Sequence, residues 1–174
     1  MNAPLAERVR ERIRDVPDYP QPGVTFRDIT PMLADGPLFA EVVAALAQSA
    51  PPVDLVAGME ARGFLLGAPV AVALGVGFVP VRKEGKLPRE THSGAYDLEY
   101  GSAVLEVHRD AVARGSRVLV IDDVLATGGT AAATVELFRR AGAEVVGMSF
   151  LMELLALEGR SKLDGVPVEA MLAY

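Results

Sequence analysis

The 174-residue sequence contains no cysteine, which excludes disulfides and thiolate metal sites. Its two histidines, His92 and His108, do not stand in metal-ligand spacing. No apolar run approaches the roughly 18 residues of a membrane-spanning helix, and no signal-peptide pattern opens the chain. With the missing cysteines, this is compatible with a reducing cytoplasm, the expected location. Positive charge is in deficit, 17 Lys and Arg against 23 Asp and Glu, a formal net charge of −6. That balance disfavours general nucleic-acid binding, so local basic clusters are expected to serve a small anionic ligand. Internal repeats and low-complexity linkers are also missing. What remains, 51% hydrophobic and 23% charged, fits one globular domain over residues 1–174 with enough chain to bury a core.

Leu5, Val9, Ile13 and Val16 follow helical spacing, which predicts an amphipathic helix over 3–15. Arg8, Arg10, Arg12 and Arg14 share its surface with Glu7 and Glu11 and read as a solvated face. Residues 17–37 hold prolines at 17, 20, 22, 31 and 37 and read as an irregular stretch of the kind that is often functional. A helix follows through Phe39, Val42, Val43 and Leu46, with Asp35 near its start and Pro37 in its first turn. Beyond it, "VDLVAG" (53–58) reads as a buried strand, then a helix through Phe64, Leu65, Ala68 and Val72, then the strand "VGFVPVRK" (76–83). "YDLEYG" and "AVLEVH" read as an antiparallel pair about Gly101 and Ser102. "RVLVID" (117–122), a helix over 130–141 and the strand "EVVGMSFLMELL" complete the pattern. Strands alternating with helices predict an α/β fold, a mostly parallel sheet flanked by helices with right-handed crossovers.

The most informative stretch is "VLVIDDVLATGGTAAA" (118–133): strand, two acids, small-residue loop, helix. In an open α/β sheet, ligands bind beyond the carboxyl ends of the strands. Gly128 and Gly129 allow close backbone approach, the following helix start offers unpaired N–H groups, and Thr127 and Thr130 add hydroxyls, so the loop suits a phosphate. A Walker loop needs a lysine after its glycines, and the G-x-G-x-x-G fingerprint is missing. An ordinary turn with an acidic cap would account for Gly and Thr but not for Asp122 beside Asp123. Adjacent strand residues point to opposite faces, so the two acids are poorly placed to chelate one metal jointly. They suit separate groups of one sugar, with the phosphate left to the loop. A phosphorylated ribose meets that description.

That stretch resembles the phosphoribosyl-diphosphate (PRPP) motif of the type I phosphoribosyltransferases. "PGVTFRDITP" (22–31), "VAGMEARGFLLGAPVA" (56–71) and "VRKEGKLPRETHSGAYDLEYG" (81–101) are similar, in order and spacing, to the adenine phosphoribosyltransferase family. The resemblance covers nearly the whole chain and is weakest at the termini. It implies the type I phosphoribosyltransferase fold, with an N-terminal helix and base-binding hood over 1–35 and a mobile lid over 83–101. The implied reaction is transfer of the 5-phosphoribosyl group from PRPP to adenine, giving AMP and diphosphate in purine salvage. The carry-over assigns PRPP to Asp122, Asp123, Ala126, Thr127, Gly128, Gly129 and Thr130. It adds Arg62, Arg82, Lys83, Lys86 and Tyr100, and Glu60 and Ala61 joined by a cis peptide. Thr25, Phe26 and Arg27 are implied to bind the base, Phe26 by stacking and the others through main-chain groups. Glu99 is implied to be the catalytic acid–base residue, with the proton it handles left open. Mg²⁺ is expected to be held mainly by PRPP, with Asp122 or Asp123 acting through water. The expected partners are adenine, PRPP and a second copy in a homodimer, with no nucleic acid and no membrane. Two readings compete: transfer to a 6-oxopurine or xanthine, and, from another class, a PRPP-sensing regulator without turnover. Such regulators usually add a DNA- or RNA-binding segment, and none is evident.

Glu99→Gln preserves size and hydrogen bonding but removes the titratable carboxylate. Its expected effect is a fall in kcat of ~10²-fold or more with little change in PRPP affinity. An unchanged kcat, measured where chemistry limits the rate, would make Glu99 a surface strand acid.

Overall fold

The computed structural model describes residues 4–98 and 101–174. The chain falls into two compact units, Met1–Ala45 and Leu46–Tyr174.

In the first unit, helix α1 (Leu5–Glu11) buries Val9 and is shorter than the 3–15 predicted. The remainder turns into strand β1 (Arg14–Val16), which pairs antiparallel with β2 (Phe26–Asp28), Asp15 opposite Arg27. A short helix α2 (Thr30–Ala34) follows, with Pro31 in its first turn and both Asp28 oxygens bound to Thr30, at 2.9 Å from its N–H and 2.8 Å from its hydroxyl. The stretch expected to be irregular therefore holds a strand and a helix. Elements of three and five residues are too short for hydrophobic periodicity to register. Helix α3 (Gly36–Ser49) starts where expected, Asp35 accepting the Leu38 N–H at 3.2 Å as an N-terminal cap. Arg8 pairs with Glu41, and Arg12 with Asp35 at 3.3 Å.

The second unit is built on a seven-stranded sheet. Its strands are β3 (Leu55–Met59), β4 (Gly77–Lys83), β5 (Thr91–Leu98), β6 (Gly101–His108), β7 (Arg117–Leu125), β8 (Glu144–Glu153) and β9 (Val168–Ala173). Their spatial order is β5-β6-β4-β3-β7-β8-β9. The run from β4 through β9 is parallel, and the β5–β6 hairpin is antiparallel and joins β4 antiparallel. Residues 118–121 are all buried, as a parallel strand covered on both faces requires. Helix α4 (Arg62–Leu74) links β3 to β4, and α5 (Gly129–Arg140) links β7 to β8. Leu137 and Phe138 on α5 are fully buried in the core with Val118, Val120 and Phe150. Burial on this scale supplies most of the driving force for folding.

Three boundaries differ from the sequence reading. Strand β7 does not stop at Asp122 but continues to Leu125. The hairpin closes with Leu98 opposite Gly101, and β5 starts at Thr91, so residues 91–98 of the expected lid lie in a strand. Gly85, Pro88 and Gly94 suit a loop, but from Thr91 onward pairing along β6 overrides that weak local preference. Strand β9 was not anticipated.

From β3 the chain moves to β4 in one direction along the sheet and from β7 to β8 in the other, and right-handed crossovers place these two connections on opposite faces. Because β3 and β7 are neighbours, strand order reverses between them, and a crevice is expected beyond their carboxyl ends.

At the opposite ends of the same two strands, Asp54 accepts the Arg117 N–H at 2.8 Å and its Nη2 at 3.0 Å. The Arg117 side chain, then its backbone N–H, holds the Asp54 carboxyl below the ordinary aspartate range. A depressed folded-state pKa contributes stability above the unfolded value (~3.9) that is lost as pH falls through the folded one. Asp54→Asn is expected to lower Tm at pH 7 and to match the unsubstituted protein below the folded-state pKa. A gap of constant size across that range, measured by thermal melts, would remove the carboxylate charge from the account.

Candidate active site

At the carboxyl end of β7 the strand's alternation separates the two acids. Asp123 is 2% exposed, and its Oδ2 lies 3.0 Å from Nε of Arg62, the first residue of α4. Asp122 is half-buried, and its Oδ1 accepts the Asp123 N–H at 2.9 Å. Burial, then the charge of Asp123, pushes the Asp122 carboxyl well above the ordinary aspartate range. Burial also raises Asp123, against the pull of Arg62. Next to them sits Gly63, which the sequence reading did not single out. A Cβ there would lie 2.6 Å from the Ile121 carbonyl oxygen and 2.9 Å from Asp122 Oδ1. The first turn of α4 can press against β7 only because residue 63 has no side chain.

Beyond Leu125 the chain forms the glycine loop. Gly128 has φ +77° and caps α5, a conformation that favours glycine. A cavity of about 160 Å³ opens here, lined by Asp122, Val124 and residues 125–131, with Met59 and Phe150 closing it. The first N–H groups of a helix have no partner within it and carry positive potential, so this cavity suits a phosphate. All five loop residues expected from the sequence, Ala126, Thr127, Gly128, Gly129 and Thr130, line it together with Asp122. Asp123 does not, being turned to Arg62.

A second group forms at the ends of β3 and β4. The Glu60–Ala61 peptide is cis. The Glu60 carboxylate accepts Arg82 Nε and the Lys83 N–H, each at 3.1 Å, and Arg82 Nη1 donates to the Lys86 carbonyl at 3.1 Å. Burial pushes Glu60 up, but the Lys83 N–H and Arg82 outweigh it and hold the carboxyl below its ordinary value. Glu106, also missed from the sequence, accepts the Gly85 N–H at 3.0 Å and the Thr91 hydroxyl at 3.2 Å, which ties down both ends of the 85–91 turn. In "AVLEVH" it is one polar position of an alternating strand and carries no further signal.

Thr25, Phe26 and Arg27 belong to the first unit. Thr25 is exposed, Phe26 meets Tyr19 edge-on with ring centroids 5.2 Å apart, and Arg27 pairs with Asp15 at 2.6 Å. Glu99 and Tyr100 lie outside the described residues. Among the described residues, no group of three or more His, Cys, Asp or Glu is arranged to hold a metal ion.

Comparison with known proteins points the same way. A family model for the phosphoribosyl transferase domain matches residues 31–167. An adenine phosphoribosyltransferase of Streptomyces coelicolor is 59% identical over 174 residues, covering 97% of this chain and 96% of its own. The crystal structure of adenine phosphoribosyltransferase from Thermoanaerobacter pseudethanolicus superposes with a TM-score of 0.94 at 49% identity, over 97% of this chain and 99% of that one. The Saccharomyces cerevisiae enzyme, complexed with an imino-altritol bisphosphate and adenine, gives 0.91 at 40% identity, over 96% and 98%.

Adjacent carboxylates at Asp122 and Asp123, both raised by burial and with Arg62 paired to Asp123, leave the free protein with an electrostatic cost. Asp122→Asn keeps the shape and the hydrogen bond from the Asp123 N–H while removing one of those charges. Its expected effect is a higher Tm for the ligand-free protein at pH 7, as occurs where function rather than stability selects a residue. A lower Tm in differential scanning calorimetry would mean that the Asp122 charge is compensated by partners other than Arg62.

Proposed function

The chain belongs to the adenine phosphoribosyltransferases of the phosphoribosyltransferase family, and we propose that it transfers the 5-phosphoribosyl group from PRPP to adenine, giving AMP and diphosphate. The observation that carries this is the single cavity joining Asp122 to the glycine loop at the point of strand reversal. It offers a carboxylate for a ribose hydroxyl and a backbone cradle for the 5-phosphate.

In the reaction, a purine nitrogen forms a bond to C1 of the ribose, the C1–O bond to diphosphate breaks, and the purine gives up its N–H proton. The residues then have three tasks: to stabilise the leaving anion, to position the base and to exclude water. Arg62, Arg82, Lys83 and Lys86 are assigned to the diphosphate. Two of them are held ready by acids, Arg62 by Asp123 and Arg82 by Glu60, which fixes their guanidinium orientation for bidentate binding. Glu99 is assigned the base proton, and Tyr100 and the 83–101 segment the closure over PRPP. The main chain of 25–27 is assigned the 6-amino edge of adenine, with Phe26 on its face.

Mg²⁺ fits this donor set as a substrate-borne ion. One accessible carboxylate, Asp122, with no three-acid cluster among the described residues, matches an ion that keeps waters and takes its remaining oxygens from phosphates. When bound, it neutralises charge on the leaving diphosphate. A homodimer is supported by Leu65 and Val72, two turns apart on α4 and 50% and 81% exposed. No helix among the described residues is long and apolar enough to cross a membrane, in keeping with a cytoplasmic enzyme of purine salvage.

The test is AMP formation from adenine, PRPP and Mg²⁺, with hypoxanthine and guanine in parallel. A 6-oxopurine places an acceptor against a main-chain acceptor, a mismatch of ~1–3 kcal/mol, so adenine is expected to lead by roughly tenfold or more in kcat/KM. Excess chelator is expected to abolish turnover. Equal use of hypoxanthine would move the assignment to the 6-oxopurine enzymes, and full activity in chelator would remove the metal.

A further inference from the structure

Gly159 is a buried residue inside an exposed segment: its neighbours from Leu155 to Lys162 are all exposed. Its φ lies outside the left-handed region, so its conformation alone would accept alanine. Its surroundings would not. A Cβ on Gly159 would fall 2.2 Å from the Ala126 carbonyl oxygen and 3.1 Å from the Gly128 nitrogen. In the other direction, a Cβ on Gly128 would fall 2.3 Å from the Gly159 carbonyl oxygen. The two backbones are in direct contact, and Gly159 is not among the residues lining the cavity. It supports the glycine loop from outside the phosphate cradle.

The segment that carries Gly159 is itself anchored. The neighbouring Arg160 places Nε 2.9 and 2.8 Å from the two carboxylate oxygens of Glu153, the last residue of β8, which is 5% exposed. Its Nη1 donates to the Val168 carbonyl, at the start of β9, at 2.6 Å. The Leu154 N–H donates to the Leu125 carbonyl at 2.9 Å, which joins the start of this segment to the start of the loop. One guanidinium N–H shared by both oxygens of a buried acid, with a second donated to the main chain, is a charge-assisted anchor for this segment.

We infer that Gly159, fixed by the Glu153–Arg160 clamp, is a positioning residue for the 5-phosphate loop, setting its curvature by backbone contact. The inference rests on the reading of residues 126–130 as the phosphate cradle. An alanine at 159 must push the loop by about 1 Å to reach ordinary van der Waals separation, and misplacement on that scale costs up to ~10²-fold in function.

The experiment compares ribose 5-phosphate, a probe of the loop, with diphosphate, a probe of the basic group, by calorimetric titration. Gly159→Ala is expected to weaken ribose 5-phosphate by about tenfold or more, ~1.4 kcal/mol per tenfold, and to raise KM for PRPP. Diphosphate affinity is expected to stay within about twofold, a split that general destabilisation would not produce. Arg160→Lys keeps the cation but lacks the planar fork that serves Glu153 and the Val168 carbonyl from two separate nitrogens. It is expected to give a smaller loss in the same direction, and it carries the test alone if Gly159→Ala does not fold. Unchanged ribose 5-phosphate binding, or equal losses for both probes, overturns the inference. Failure of the parent protein itself to bind ribose 5-phosphate would instead overturn the cradle reading, and this inference with it.

Discussion

The contact between Arg62 and Asp123 ties the two halves of the reversed sheet together where the ligand is expected. Arg62 starts the helix that leaves β3, and Asp123 stands near the end of β7, so one 3.0 Å ion pair joins the two segments that diverge from the switch point. A carboxylate this deeply buried needs a cation to remain ionised. Arg62 is therefore held in a set direction before any ligand arrives, and Asp122, on the opposite face of the strand, is left for the cavity. Division of labour between two adjacent acids follows from the strand geometry.

Around that contact, missing side chains matter as much as those present. Gly63 lets α4 approach β7, Gly128 turns the loop into α5, and Gly159 lets the segment after β8 lie against the loop's backbone. Each brings main chain to main chain at a distance that a methyl group would prevent. The loop is thus supported by close backbone contact, and its glycines and small residues leave main-chain N–H groups open to a phosphate. The rigidity of such a cradle comes from close packing on its outer side as well as from hydrogen bonds facing the ligand.

The cationic groups assigned to the diphosphate show a related economy. Arg62 faces Asp123, and Arg82 faces Glu60, so part of the positive charge is balanced within the protein. Donors oriented in this way, with their mutual repulsion already reduced, suit an anionic ligand. Glu60 and Glu106 also hold the backbone at Lys83 and Gly85, so the turn leading into the β5–β6 hairpin is fixed at its base by two acids, of which Glu60 also balances Arg82.

The sequence alone determined the local unit of this protein. Four apolar residues, two acids, a glycine loop and a helix face lie in one stretch, 118–133, and neighbours along the chain favour strand, turn and helix there in that order. The alternation of strands and helices likewise made a mostly parallel sheet legible. Contacts between segments distant in sequence were not legible. Strand periodicity states that Asp122 and Asp123 face opposite ways, but only the packing of α4 decides that Asp123 meets the arginine and Asp122 the cavity. The elements β1, β2 and α2 were missed because three to five residues hold too little pattern, and the antiparallel β5–β6 pair was legible but not its extension back to Thr91, which pairing with β6 decides. Gly159 showed no sign at all, since its constraint is the position of Ala126 and Gly128, more than thirty residues earlier. Local propensity can be read from neighbours in the chain, whereas steric fit between distant backbones exists only once the chain has folded.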